Sequence, residues 1–250
     1  MMLQQTQALR VIPKWVAFLE MFPTPEACAA APLGDVLRCW QGLGYPRRAR
    51  NLQLAAVRIV ERGSFPDSLG DLLELPGVGA YTARAVLAFA FEADAAVVDT
   101  NIARVYARVE GRRLQPKEVQ TLADDALPSG DAWAWNQVLM DLGAVLCRPF
   151  APDCEACPLE ASCRWALAGR PEPDPAVGSA GVSGRQAPFA GSDREARGRL
   201  LRALGDASLS QSAVAQVMGR SPERAARLTA ALISEGLVRI DPDSDALTLP

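Results

Sequence analysis

Cysteine is the residue type whose placement most constrains the chemistry open to this sequence. Cys147, Cys154, Cys157 and Cys163 follow one another as C-x6-C-x2-C-x5-C. Four thiolates this close in sequence can enclose one metal centre. A four-cysteine zinc site ordinarily has two C-x2-C pairs on a longer arm, and this string has one such pair. Cys28 and Cys39 sit in apolar helical patterns and read as buried packing residues. The start of the chain, Met1-Met2-Leu3-Gln4-Gln5-Thr6, has neither the basic nor the apolar region of an export signal. Disulfides are therefore not expected, metal binding is the leading reading, and a cytoplasmic location is expected.

The chain contains no histidine, so acid–base work would fall to carboxylates, Lys, Tyr or Cys. Asp99, in Val97-Val98-Asp99-Thr100-Asn101, is placed like the N-cap of a helix, and composition alone supports no more than that. Leu75-Pro76-Gly77-Val78-Gly79-Ala80-Tyr81 is a hairpin followed by a helix start. Its two glycines let a backbone approach a partner closely, and the helix start suits a phosphate oxygen. A plain turn would also explain a bare Gly-x-Gly. The formal net charge of −3 excludes a globally basic nucleic-acid binder. Arg38, Arg47, Arg48, Arg50, Arg58 and Arg62 are interrupted by one acid, Glu61, which by itself describes a solvated helix face.

The elements that would position these residues are helices. Periodic apolar stripes predict helices from Pro13 to about Met21, Pro32 to Trp40, Pro46 to Arg62, Tyr81 to Phe91, Thr100 to Val109, Pro116 to Leu127 and Asp131 to Leu146. The Tyr81 helix is apolar nearly all round and is expected to be central and buried. No strand pattern occurs up to residue 168, so the class is all-α. Residues 169–192 are proline-, acid- and glycine-rich and read as a flexible linker. Residues 193–250 read as a small winged-helix-like module of three helices and a two-stranded wing. No apolar run reaches the roughly 18 residues of a membrane span.

Taken together, these strings resemble the helix-hairpin-helix (HhH-GPD) DNA glycosylase superfamily. Residues 1 to about 168 resemble in particular the MutY-type adenine glycosylases, through Met2-Leu3-Gln4-Gln5-Thr6-Gln7 and Trp40-Gln41-Gly42-Leu43-Gly44-Tyr45. The cysteine spacing matches the [4Fe-4S] loop of endonuclease III and of these enzymes. The resemblance implies a helix-hairpin-helix glycosylase fold with a [4Fe-4S] cluster on Cys147, Cys154, Cys157 and Cys163. The cluster's implied role is structural, pinning a loop that carries Arg148 and Arg164 toward phosphates. Gly77, Val78 and Gly79 would grip the DNA backbone, and Gln5, Thr6 and Tyr45 would wedge into the base stack. Asp99 takes the catalytic carboxylate's place, with Tyr81 and Asn101 beside it. Endonuclease III-like enzymes with strand-cleaving activity carry a lysine at position 81, so Tyr81 implies a monofunctional enzyme. The implied partner is double-stranded DNA with adenine opposite 8-oxoguanine or guanine, bound by a monomer.

The chain departs from that family in two places. A glutamate that protonates adenine precedes the Leu-Gln-Gln-Thr string in the family, and its position falls before Met1. The chain is thus read as N-terminally truncated, and as written it is expected to excise little adenine, while an upstream-extended form is expected to be active. Residues 193–250 also lack the pattern of the family's Nudix-like domain, which recognises 8-oxoguanine. An endonuclease III-like pyrimidine glycosylase and a catalytically inactive DNA-binding relative are the alternatives.

Overall fold

A computed structural model describes residues 1–180 and 188–250. The first helix, α1 (Ala8–Met21), begins five residues before the expected start and contains Pro13 in its interior. Pro13 lies on the exposed side, where water can serve the carbonyl that loses its N–H partner. α1 buries Val11 and Phe18, while Leu9 opposite them is exposed. The short α2 (Pro25–Ala30) is capped by Thr24, whose hydroxyl accepts from the Ala27 N–H. α3 (Leu33–Trp40) leads through Gly42 and Gly44, both with positive φ, into α4 (Arg47–Arg62). Gly63, with φ +79°, closes α4 in the left-handed conformation that a glycine adopts without strain.

Next come α5 (Leu69–Leu73), α6 (Ala80–Ala90), α7 (Thr100–Val109), α8 (Pro116–Ala126), α9 (Ala132–Val145) and α10 (Arg164–Leu167). Ser68 caps α5, and Gln115 with Glu118 forms a capping box on α8. The expectation for α6 needs correction: Ala83, Leu87 and Ala88 are its buried residues, while Tyr81 at its start is exposed. Its uniform apolarity comes largely from alanines, which do not demand burial as long side chains do. The tight packing is between α7 and α9, where Ile102, Val105, Leu139 and Leu142 form one cluster.

The three helices and hairpin anticipated over 193–250 are present as α11 (Asp193–Asp206), α12 (Val214–Met218), α13 (Pro222–Ser234) and the antiparallel strands β1 (Arg239–Ile240) and β2 (Leu247–Thr248). Leu209 adds an isolated bridge to Leu247. Their apolar core is continuous with that of α3. Leu200, Leu204, Leu232 and Leu247 share one apolar cluster with Val36, Leu37 and Trp40 of α3. The Gly34 N–H also donates to the carbonyl of Pro250 at 2.6 Å. The expected linker is likewise shorter than its composition suggests. Part of residues 171–180 is anchored: Ala176 and Ser179 are buried, and Asp174 pairs with Arg108 at 2.6 Å, while Pro171, Glu172, Pro173 and Val177 stay exposed. A carboxylate that finds a buried arginine outweighs the disordering tendency of a proline–acid run. Residues 181–187, the middle of that linker, lie outside the described residues.

The described chain divides into two compact units. One contains Met1–Pro66, Leu75–Gly77 and residues 188–250, and the other contains Asp67–Glu74 and residues 78–180. Among the described residues no helix is long and apolar enough to cross a membrane.

Candidate active site

In the second unit, the chain leading to Asp99 is held from below. Asn136 of α9, fully buried, accepts the Val97 N–H at 2.8 Å and donates to the Ala95 carbonyl at 2.9 Å. That fixes the segment from which Asp99 opens α7. Asp99 Oδ1 accepts the Ile102 N–H at 2.7 Å, so the residue is an N-cap, and its other oxygen accepts from Asn101 Nδ2 at 3.1 Å. Asn101 Oδ1 in turn accepts from Arg104 Nη2 at 2.8 Å. Arg104, buried, also donates to the carbonyls of Cys147 at 2.7 Å and Gly143 at 2.6 Å. One hydrogen-bonded chain thus runs from the Asp99 carboxylate to the backbone of the first cysteine. Gly143 is where α9 makes room for it: a Cβ there would stand 2.6 Å from that of Asn101.

Tyr81, at the start of α6, feels the same carboxylate. Partial burial, and then the negative charge of Asp99, push the Tyr81 phenol above its ordinary range. Asp99 and Asn101 are thus hydrogen-bonded, and Tyr81 lies within the electrostatic reach of that carboxylate. The sequence reading missed Arg104 and Gly143. The signal for Arg104 was an arginine in a helix whose other faces are apolar, where a cation needs a dedicated set of acceptors.

All four cysteines of the C-x6-C-x2-C-x5-C string are free and line one cavity, together with Val105, Leu142 and Trp165. Arg108, 2% exposed, forms part of its wall. Its Nη1 donates to Cys147 Sγ at 3.3 Å, its carbonyl accepts from Cys163 Sγ at 3.2 Å, and its guanidinium lies 4.8 Å from the Trp165 ring centroid. Burial pushes the Cys147 thiol up, and the Arg108 hydrogen bond and charge oppose that. Among the described residues no three His, Cys, Asp or Glu side chains converge closely enough to hold a single ion. Of the loop arginines, Arg164 is paired with Glu110 at 2.9 Å and Arg148 donates to the Ala151 carbonyl.

The hairpin glycines have different jobs. Gly77 has φ +78°, and a Cβ on it would meet Asn51 at 2.8 Å. Gly79 caps α6 with φ −94°, which any residue adopts, and among the described residues nothing beyond its chain neighbours lies within 4 Å of where its Cβ would be. Gly77→Ala is therefore expected to cost about 2 kcal/mol of stability, from left-handed strain and the close contact. Gly79→Ala is expected to leave the melting temperature unchanged and, where the hairpin grips DNA as the resemblance implies, to weaken duplex binding by filling the space the backbone would enter. Thermal melts beside fluorescence-anisotropy titrations with duplex DNA check both, and unchanged DNA affinity in Gly79→Ala would refute the role given to the hairpin. Val78, between them, is half-buried.

In the first unit, Gln5 and Tyr45 share an uncommon backbone state, with φ +55° and +47°. Thr6 Oγ1 accepts from Arg48 Nη2 at 3.0 Å, and the Tyr45 hydroxyl accepts from Arg194 Nη1 at 3.3 Å. Gln4 donates to the Gly77 carbonyl at 3.2 Å, so the Gln-Gln-Thr string and the hairpin glycine belong to one cluster.

The sequence profile of the HhH-GPD superfamily base excision DNA repair proteins matches residues 1–129, and the chain belongs to this superfamily. Within it, the chain is 40% identical over 245 residues to an adenine DNA glycosylase of Mycolicibacterium smegmatis, covering 95% of this chain and 81% of that one. Among solved structures it is similar to a thermostable thymine-DNA glycosylase, with a TM-score of 0.64 and 30% identity over 67% of this chain and 81% of that one. It is also similar to endonuclease III trapped as a covalent intermediate with DNA, with a TM-score of 0.61 and 27% identity over 68% and 82% of the two chains.

Proposed function

We propose that this protein is a monofunctional adenine DNA glycosylase that hydrolyses the N-glycosidic bond of adenine opposite 8-oxoguanine or guanine in duplex DNA. The observation that carries the reading is the Asp99 carboxylate, fixed at the start of α7 by Asn101 and the Ile102 N–H, with the Tyr81 phenol in its field. As the bond to adenine breaks, positive charge grows on the sugar. A carboxylate already held in place stabilises that charge without reorganising. Partial burial and Asp99 keep Tyr81 protonated at neutral pH, so it acts as a hydroxyl neighbour and not as a nucleophile. The chain's lysines, Lys14 and Lys117, lie on α1 and α8, and position 81 offers no amine. Water is therefore the group that captures the sugar. Gly77, Val78 and Gly79 hold the backbone, while Gln5, Thr6 and Tyr45 fill the stack that the extruded base leaves. The extent of identity to an adenine glycosylase favours a purine over a pyrimidine substrate.

The residues of the cysteine cavity fit an iron–sulfur cluster. Four free thiols face one cavity walled by apolar side chains and a buried guanidinium, which suits a group with net negative charge. Cys147, Cys154, Cys157 and Cys163 would hold a [4Fe-4S] cluster through their thiolates. When bound, the cluster supplies a covalent tie between the end of α9 and α10. Brown protein with iron and acid-labile sulfide in equal amounts is the expected result, and zinc in their place would refute it.

Single-turnover excision on duplexes with A opposite 8-oxoguanine, A opposite G, and T opposite G tests the substrate. Adenine release from the first two duplexes, however slow, is the expected result. Release of thymine alone would assign the pyrimidine reading, and no release would assign the non-catalytic one. Borohydride is expected to trap no more than trace enzyme–DNA adduct, because no amine is placed to form a Schiff base. Efficient trapping would overturn monofunctional chemistry.

A further inference from the structure

Arg48, on the first turn of α4, was not marked by any motif, yet it joins the two loops that carry Gln5 and Tyr45. Nη1 donates to the carbonyls of Met1 and Met2, each at 3.1 Å, and to that of Gln4. Nη2 donates to the carbonyls of Leu43 at 2.9 Å and Gly44 at 3.2 Å, and to Thr6 Oγ1 at 3.0 Å. The guanidinium also lies 5.4 Å from the ring centroids of both Trp40 and Tyr45. Its Nε is buried with no acceptor among the described residues, so the whole of its hydrogen bonding is spent through the two terminal nitrogens.

The identity of the acceptors matters. The φ angle of a residue is the torsion about its N–Cα bond, and the preceding carbonyl lies on the far side of that bond. Gln4 O and Gly44 O belong to the peptide groups immediately before Gln5 and Tyr45. Those are residues with side chains held in the left-handed region, at φ +55° and +47°. Such a conformation persists only where the surroundings over-determine it. One planar fork ties both peptide groups at once, and its charge rests against the Tyr45 ring as well.

We propose that Arg48 is the positioning residue that presets Gln5 and Tyr45 together, so that the two wedge side chains meet the duplex as a single ordered unit before a base is extruded. The proposal rests on the reading of those two residues as the wedge. Its physical benefit is preorganisation: the ordering of two loops is completed in the free protein and is not charged against binding. Lysine cannot substitute, because an ammonium on a flexible stem presents no rigid fork to two loops.

The test compares affinity for a duplex with A opposite 8-oxoguanine with affinity for the matched A:T duplex, at one fixed salt concentration. 2-Aminopurine beside the target adenine reports unstacking. In Arg48→Lys the preference ratio is expected to fall about tenfold and the 2-aminopurine signal to be lost, while the melting temperature moves by only a few degrees. Gln5→Ala and Tyr45→Ala should each lower the ratio, and Arg48→Lys should add less than about twofold to the Gln5→Ala/Tyr45→Ala double variant, since the three act as one unit. If the Gln5 and Tyr45 variants lose the preference and Arg48→Lys keeps it, or if the effects are additive, the positioning role is refuted. If Gln5→Ala and Tyr45→Ala keep the preference, the wedge reading itself fails. Should Arg48→Lys not fold, Thr6→Val removes a single acceptor of the fork. It is expected to lower the ratio by about threefold at an unchanged melting temperature, and no change in the ratio would equally refute the proposal.

Discussion

Asp99→Asn is expected to lower the single-turnover rate of adenine release by about a thousandfold or more, the scale on which a preorganised electrostatic group stabilises a developing charge. The substitution is informative because it changes so little else. Asparagine caps a helix as well as aspartate does, so the Ile102 N–H keeps its acceptor and α7 keeps its start. The amide is isosteric with the carboxylate; the other contact it gives up is the bond from Asn101 Nδ2, since Asn101 Oδ1 is held by Arg104 and cannot turn to accept from the new amide. What disappears is the full negative charge beside the sugar. Affinity for a mismatched duplex should therefore stay within about threefold, and the melting temperature within a few degrees. Excision within tenfold of the parent rate would show that the carboxylate is not the group that stabilises the cationic sugar. Joint loss of excision, affinity and melting temperature would mean that Asp99 is needed as a cap.

The chemistry of the site was legible in the sequence wherever it depends on residue type at fixed spacing. The four cysteines, which line one cavity, the Gly77–Gly79 hairpin and the hydrogen-bonded Asp99–Asn101 pair each lie within a short stretch of chain, so local geometry keeps their members near one another. Positions of the longer helices were legible through apolar periodicity and, at α7, the Asp99 cap, whereas the short α2 and α5, capped by Thr24 and Ser68, were not anticipated because five or six residues carry no readable period. What the sequence concealed is long-range. Arg48 finds its acceptors some forty residues away in Met1–Thr6, Arg104 reaches Cys147, and Arg108 reaches both Cys147 and Asp174. An arginine in a helix is read by default as a solvated face, and only burial reveals that its charge is shared among backbone carbonyls. The shared core of Val36, Leu37 and Leu200 was hidden likewise, because amphipathic stripes declare that a face is buried and not against what.

Removing the Asp174 carboxylate is expected to produce the largest loss of stability. Arg108 is buried, and its cation is balanced on one side by Asp174 at 2.6 Å and touches Cys147 Sγ on the other. Breaking a buried ion pair from one side leaves an uncompensated charge, which costs about 3–5 kcal/mol. Asp174→Asn keeps the shape and loses the charge, so it should unfold well below the parent temperature and, if the cysteine cavity holds the proposed cluster, give up its iron more readily to a chelator. The double variant Arg108→Met/Asp174→Asn removes both charges and should recover much of the stability while still losing the hydrogen bond to Cys147, so melting temperature and iron retention come apart. The pH dependence has a definite sign. Burial alone would raise the Asp174 carboxyl, but the Arg108 hydrogen bond, the Ala176 N–H and the Arg108 charge outweigh it and hold the group below the usual carboxylate range. Its contribution is therefore complete above the unfolded carboxyl's value of about 3.9 and is lost as pH falls through the lower folded value. Parent protein should thus lose stability steeply on the acid side, and Asp174→Asn should show a shallower acid limb from a lower plateau. Equal acid limbs in the two proteins, or a melting temperature for Asp174→Asn within a degree or two of the parent, would mean that the segment 171–180 is not anchored through this pair.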